Sequence, residues 1–283
     1  MRFKRAEKYG FCAGVRIADK KVKQFARLGG HDGRLLGQVV HNERVVLEME
    51  GLGVPTVDQL ADVPEGTVIF SAHGVAPSFH AEAQRRGLKV LDTTCPFVYD
   101  IHEEADAARE EGAHLVFIGD PKHREVIGYT RDRDPSTYHV LSTVEAAERV
   151  DWSLYPSIKV LYQTTLNAEE FEEVVRTIEE RARSVARADT ICYATKENQD
   201  AARSLATDTE IGVVLVIGGR QSANTRHLWE ICRELKPSYL VHDVEDLDAS
   251  WFAGVRTVGV TAGASTPDYL IDEIEAAVER LAS

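Results

Sequence analysis

No apolar run in this sequence approaches the roughly 18 consecutive residues that a membrane-spanning helix requires. The opening Met1-Arg2-Phe3-Lys4-Arg5 also lacks the apolar stretch and cleavage site of a secretory signal. No membrane association is expected, and the expected location is the cytoplasm. Positive charge is in short supply too: 33 Lys and Arg stand against 46 Asp and Glu, a formal net charge of −13. Binding to phosphate polymers depends on Lys and Arg displacing counterions, so nucleic acid is not an expected partner. No Pro- or Ser-rich tract interrupts the chain, and 43% hydrophobic with 28% charged residues is the balance of a globular protein. Cysteine is scarce. The four, Cys12, Cys95, Cys192 and Cys232, show no C-x-x-C spacing, and in a cytosolic chain they are expected to be reduced thiols or metal ligands, not a disulfide framework.

What is present is a rhythm. Short apolar runs ending in Gly, His, Ser or Thr alternate with amphipathic stretches, the βαβ pattern of parallel sheets. It predicts strands over Arg34–Val40, Thr67–Ser71, Leu88–Leu91, Ala113–Ile118, Ile158–Tyr162, Gly212–Ile217, Tyr239–Val241 and Thr257–Thr261, and helices that include Glu169–Ala186 and Asp268–Leu281. Three blocks recur within it, each after a strand and before a helix: Gly37 to Glu43 with His41, Gly119 to Glu125 with His123, and Gly218 to Asn224 with Ser222. A second series follows at later strand ends, in Ser71-Ala72-His73-Gly74, Gln163-Thr164-Thr165-Leu166 and Thr261 to Ser265. A third closes two repeats with Asp92-Thr93-Thr94-Cys95 and Asp189-Thr190-Ile191-Cys192; the last repeat has no cysteine, and Cys12 can supply it.

Such repetition predicts an α/β protein of three pseudo-threefold-related units with small, mainly parallel sheets around one central site. The expected units are 13–95, 96–192 and 193–283, with 1–12 packing centrally and supplying Cys12. Ligands of open α/β sheets bind beyond the carboxyl ends of strands, where all these polar residues fall. Three thiolates converging there select iron-sulfur or zinc, and three ligands on a four-iron cluster leave one iron open. Cys232 lies on an apolar helical stripe with Leu228, Ile231 and Leu235 and is read as core. His41, His73, His123, Ser222, Asn224 and Ser265 offer donors of mixed type around the same centre, as an anion requires. The remaining histidines are read as structural. Glu125 could carry a proton to a bound anion, but Glu43 holds the equivalent place in the first repeat, and position alone does not choose between them.

Several of these segments resemble the signatures of the 4-hydroxy-3-methylbut-2-enyl diphosphate reductase (IspH/LytB) family. They are Gly10-Phe11-Cys12-Ala13-Gly14-Val15, Val40-His41-Asn42, Ser71 to Val75, Thr94-Cys95-Pro96, His123-x-Glu125-Val126, Gln163 to Leu166, Asp189 to Thr195, Ser222-x-Asn224 and Gly259 to Ser265, in the family's order along the whole chain. The resemblance implies a cloverleaf around one 4Fe-4S cluster held by Cys12, Cys95 and Cys192, with an open fourth iron. It implies reduction of an allylic diphosphate, (E)-4-hydroxy-3-methylbut-2-enyl diphosphate, to isopentenyl and dimethylallyl diphosphate, the last step of the methylerythritol phosphate route, with reduced ferredoxin or flavodoxin as electron donor. By the same carry-over His41, His73, His123, Ser222, Asn224 and Ser265 hold the diphosphate, Thr164 orders the substrate hydroxyl and Glu125 delivers protons. The sequence departs from the family's pattern at four places. Ala223 stands where a second serine is frequent, leaving only its backbone amide for phosphate; Lys122 and Arg124 flank His123 where Gly and Pro are common; and Tyr129 replaces a common Thr.

Overall fold

A computed structural model describes residues 1–281. The expected end of the third unit, Ala282 and Ser283, lies outside the described residues. Among the described residues, twelve strands form three sheets of four, every neighbouring pair parallel. Parallel neighbours cannot be joined by tight hairpins, which is why helices and long loops separate the strands.

An edge strand β1 (Arg2–Arg5) leads to α1 (Ala13–Arg27), which packs on the first sheet. That sheet contains β2 (Gly33–Leu36), β3 (Thr56–Val57), β4 (Thr67–Phe70) and β5 (Lys89–Asp92), in the order β3-β2-β4-β5, with α2 (Glu43–Gly51) and α3 (Pro77–Arg85) as crossovers. The second unit opens with α4 (Pro96–Glu110) and orders its strands β7-β6-β8-β9. These are β6 (His114–Ile118), β7 (Tyr138–Leu141), β8 (Ile158–Tyr162) and β9 (Val185–Arg187), connected through α5 (Arg124–Thr130), α6 (Val144–Glu148) and α7 (Ala168–Arg181). The third opens with α8 (Tyr193–Thr207) and holds β10 (Val213–Ile217), β11 (Ser238–Val241) and β12 (Thr257–Ala262), with α9 (Ala223–Leu235) and a closing α10 (Asp268–Leu281).

The third sheet reads β11-β10-β12-β1, so β1 occupies the place that β5 and β9 hold in the other two. The N-terminal segment, expected to pack centrally and supply Cys12, forms through β1 a sheet edge beside β12, and Cys12 lines the central cavity. Each edge strand delivers a cysteine to the same spot. The N–H groups of Cys12, Cys95 and Cys192 donate to the carbonyls of Ala264, Ala72 and Thr164 at 3.1, 3.0 and 3.0 Å, three residues at equivalent strand ends. The threefold repeat is thus complete once the chain's beginning is joined to its end.

The central strands are legible because helices cover both faces. Thr67–Phe70, His114–Ile118 and Val213–Ile217 are buried along their full length and read as continuous apolar runs. Phe70 packs with Leu36 and Ala83 on one face, while Ile69 packs with Val22 and Met49 on the other. Each such side chain contributes roughly 1.5–3 kcal/mol by leaving water. Four strands escaped the reading. β1 carries three cations, β3 has two residues, β7 is half polar, and β9 hides in the helical pattern expected to run to Ala186, which ends at Arg181. All four lie at sheet edges, where one neighbour suffices and charge is tolerated. The strand expected to reach Val40 stops at Leu36, because Gly37 turns left-handed at φ +74°.

Polar contacts tie the units together. Arg44 pairs with Glu273 at 2.8 Å, Arg203 with Glu169 at 3.2 Å, and the Ser78 N–H donates to Asp132 at 2.6 Å.

Candidate active site

Where the three units meet, a cavity of about 740 Å³ of atom-free space opens at the carboxyl ends of β2, β4, β6, β8, β10 and β12. All twelve residues singled out in the sequence line it: Cys12, Cys95, Cys192, His41, His73, His123, Glu125, Thr164, Ser222, Ala223, Asn224 and Ser265.

The three cysteines stand at the starts of α1, α4 and α8. Cys12 caps α1, its sulfur accepting the Val15 N–H at 3.4 Å. Burial pushes the Cys95 and Cys192 thiols up, each further raised by the neighbouring cysteines. Ionising these thiols therefore carries an electrostatic penalty that a bound cation reverses, since a coordinating thiol is deprotonated outright. Gly14 makes room for them: a Cβ there would stand 2.6 Å from the Cys95 sulfur. Among the described residues only Glu170, His227 and Glu230 bring three potential ligand atoms within 4.8 Å of one another. The soft donor set and the cradle at Gly14 fit an iron-sulfur cluster. Cys232 takes no part. It is buried, its sulfur donates to the Ala202 carbonyl at 3.8 Å, and burial pushes its thiol up to about 12.

In the same cavity three imidazoles form a wall. Ring centroids lie 4.2 Å apart for His41 and His73, 5.2 Å for His41 and His123, and 5.8 Å for His73 and His123. Desolvation brings His41 and His123 down to about 4 and His73 well below its ordinary value, so all three are neutral near pH 7. His123 Nδ1 accepts the Glu125 N–H at 3.3 Å, which places its proton on Nε2. That Nε2, His41 Nε2, His73 Nδ1 and both side-chain polar atoms of Asn224 are buried without a partner. Orphaned polar atoms are costly, and their concentration on one wall marks a ligand's place. Ser222 Oγ accepts from the Thr225 N–H at 3.2 Å and hydroxyl at 2.9 Å, leaving its own proton for a ligand. Ser265 Oγ donates to the His41 carbonyl at 3.0 Å and fixes that loop.

Glu125 is 1% exposed. Its Oε1 accepts from the Tyr129 hydroxyl at 2.6 Å and the Thr164 N–H at 2.9 Å, and its Oε2 accepts from the Thr164 hydroxyl at 2.9 Å. Burial nevertheless outweighs these bonds and raises its pKa, which favours the protonated carboxyl. The 4.0 Å approach to His123 Nδ1 is no ion pair, because that imidazole is neutral. The structure also separates Glu125 from Glu43, which position in the repeat could not do. Glu43 is outside the cavity lining and accepts the Arg220 N–H at 3.1 Å. Tyr129, noted in the sequence only as a departure, is buried against Glu125 one helical turn on. The i, i+4 spacing within α5 was the signal for it.

The family described as LytB protein matches residues 3–279. A 4-hydroxy-3-methylbut-2-enyl diphosphate reductase from Geobacter sulfurreducens is 39% identical over 280 residues, covering 98% of this chain and 95% of its own. The one from Acidothermus cellulolyticus is also 39% identical, over 271 residues, covering 94% of this chain and 79% of its own. Among solved structures, an (E)-4-hydroxy-3-methyl-but-2-enyl diphosphate reductase, the terminal enzyme of the non-mevalonate pathway, superposes with a TM-score of 0.72 at 35% identity, covering 99% of this chain and all of that one. The E-1-hydroxy-2-methyl-but-2-enyl-4-diphosphate reductase from Plasmodium falciparum superposes with a TM-score of 0.89 at 27% identity, covering all of this chain and 88% of that one.

Proposed function

Since this chain belongs to the LytB protein family, we propose that it reduces (E)-4-hydroxy-3-methylbut-2-enyl diphosphate to isopentenyl and dimethylallyl diphosphate, the terminal step of the non-mevalonate pathway. The reading rests on one observation above all: three thiols, three neutral imidazoles and a buried carboxyl converge on a single cavity. The reaction consumes two electrons and two protons and releases water. Cys12, Cys95 and Cys192 would hold a 4Fe-4S cluster, which when bound supplies the electrons and one iron free of protein thiolate. Reduced ferredoxin or flavodoxin would replenish them. We place the reaction in the cytoplasm, where four free cysteines stay reduced.

The chain's own residues bind, orient and protonate. The imidazole wall, the Ser222 hydroxyl, the Ala223 amide, the Asn224 side chain and Ser265, its hydroxyl turning from the His41 carbonyl, anchor the diphosphate, which fixes the allylic end at the thiol side. With Glu125 Oε1 already accepting two donors, the acidic proton sits on Oε2. Oε2 faces the Thr164 hydroxyl, which can accept that proton and pass its own to the departing oxygen, so that water leaves in place of hydroxide. Glu125, once reprotonated from solvent, gives the second proton to either end of the allyl fragment, which accounts for two products.

Anaerobic reconstitution followed by an assay with reduced dye and substrate tests the whole reading. Dye oxidation in a ratio of two electrons per substrate is expected; substrate loss without reductant would make the protein a dehydratase instead. His41→Ala and Asn224→Ala are expected to keep their iron yet raise the Michaelis constant about tenfold to a hundredfold, since each removes a charge-assisted bond worth roughly 1.5–3 kcal/mol. Product diphosphate bound as tightly as by the parent, measured by calorimetry, would move the pocket elsewhere.

Diphosphate binding should also take up protons. In the tautomer whose Nδ1–H donates to Gln38 at 3.3 Å, His41 Nε2 becomes a donor to an anion only by gaining a proton. The free imidazole sits at about 4, and a bound anion raises it. Affinity for product diphosphate is therefore expected to rise as pH falls from 8 toward 6, by up to about tenfold per unit for one proton. Titrations in buffers of different ionisation heat read that uptake directly, and equal heats in all buffers would rule it out.

A further inference from the structure

The lining of the active cavity contains no lysine or arginine. A diphosphate nevertheless brings at least two negative charges at neutral pH, and burying charge without a counter-charge is costly. Neutral imidazoles give hydrogen bonds, and the one proton that His41 gains on binding cancels only part of that charge.

Directly behind the imidazole wall lies a second cavity, of about 820 Å³ of atom-free space, lined by Lys122, Arg124 and Arg131 with a single acidic residue, Asp58. The two cavities use alternate residues of the same two segments. Ala72 and His73 face the first, while Ser71 and Gly74 face the second. His123 and Glu125 face the first, while Lys122 and Arg124 face the second. The wall between them is therefore one backbone thick. Arg124, its side chain 39% exposed, lies against this wall: its guanidinium sits over Gly37, where a Cβ would come within 2.3 Å of Nη1, at the opening of the block that contains His41. Its carboxylate partner, Asp58, is 3.9 Å away with a side chain 90% exposed, so most of the arginine's charge is left uncancelled. That charge reaches the first cavity, where it helps to keep His41 and His73 unprotonated.

We propose that Arg124 is a positioning residue for the substrate, supplying through this thin wall the positive potential that holds the diphosphate, with Lys122 and Arg131 adding to the same field. The inference rests on the reading of the imidazole cavity as the diphosphate pocket. It explains how a pocket without a cation in its lining can take a polyanion, in a chain whose net charge of −13 otherwise repels one. The field acts across a low-dielectric wall, where Coulomb attraction falls off less than in water.

Inorganic pyrophosphate titrated into the anaerobic holoenzyme at low and high salt tests this. Arg124→Gln is expected to weaken binding by about three- to tenfold at low salt and to flatten the salt dependence. Arg124→Lys should bind as the parent does. Asp58→Asn should tighten binding by about twofold, because it removes the one opposing charge. Arg176→Gln makes the same change in net charge at an exposed site on α7 outside both cavities and should change nothing. In turnover, Arg124→Gln should raise the Michaelis constant and leave kcat within about twofold. Parent-like affinity and salt dependence in Arg124→Gln, or weakening in Asp58→Asn, would overturn the inference alone. A parent holoenzyme that does not bind pyrophosphate would overturn the diphosphate reading and the inference with it.

Discussion

Serine in place of Cys12, Cys95 or Cys192 is expected to abolish retention of iron, a complete loss of the cluster and of turnover with it. Each residue is one of three thiols brought to the cavity, and each is the sole representative of its unit. A hydroxyl is a hard, weakly acidic ligand that does not replace a thiolate on iron. Folding should survive, because each side chain is only partly buried and the equivalent backbone bonds to Ala264, Ala72 and Thr164 do not involve sulfur. Cys232→Ser is the control. It places a hydroxyl in an apolar helix stripe and costs some stability, yet iron should remain, since Cys232 does not line the cavity. Iron content and brown absorption of anaerobically purified variants decide the matter. Iron retained in any of the first three, or lost in Cys232→Ser, would overturn the ligand assignment.

Glu125→Gln is expected to fold, keep its iron and bind substrate, yet turn over about 10² to 10⁴ times more slowly, the usual contribution of general acid catalysis. The geometry allows the exchange. The amide oxygen can accept from the Tyr129 hydroxyl and the Thr164 N–H as Oε1 does, and the amide nitrogen can donate to the Thr164 hydroxyl, which rotates to accept. Only the exchangeable acidic proton is gone. Glu43→Gln shares the repeat position but not the cavity, so its activity should stay near the parent's. Equal losses in the two variants, or parental turnover in Glu125→Gln, would remove Glu125 from the proton path.

The contrast between those two glutamates marks how far the sequence reaches. Both follow the glycine of their block by the same interval, and both sit in the first turn of a helix. One is wrapped in apolar surroundings, which raise its pKa; the other is half-exposed and satisfied by a backbone N–H. Burial is a property of what packs against a residue, and the packing partners of Glu125, Thr164 among them, come from distant parts of the chain. The same limit applies to Arg124, whose importance comes from lying behind a wall that neither its neighbours nor its spacing describe.

By itself the sequence determined the threefold repetition, the central strands and the polar blocks that reach the cavity, because each is encoded locally: by continuous apolar runs covered on both faces, or by a polar block at a fixed interval after a strand. It did not place β1, which carries three cations and becomes a strand only because β12 offers it a parallel edge. That pairing joins the two ends of the chain, completes the third unit and brings Cys12 to the position of Cys95 and Cys192. Tertiary structure alone decided this, since an edge strand's stability lies in the partner it pairs with and not in its own residues.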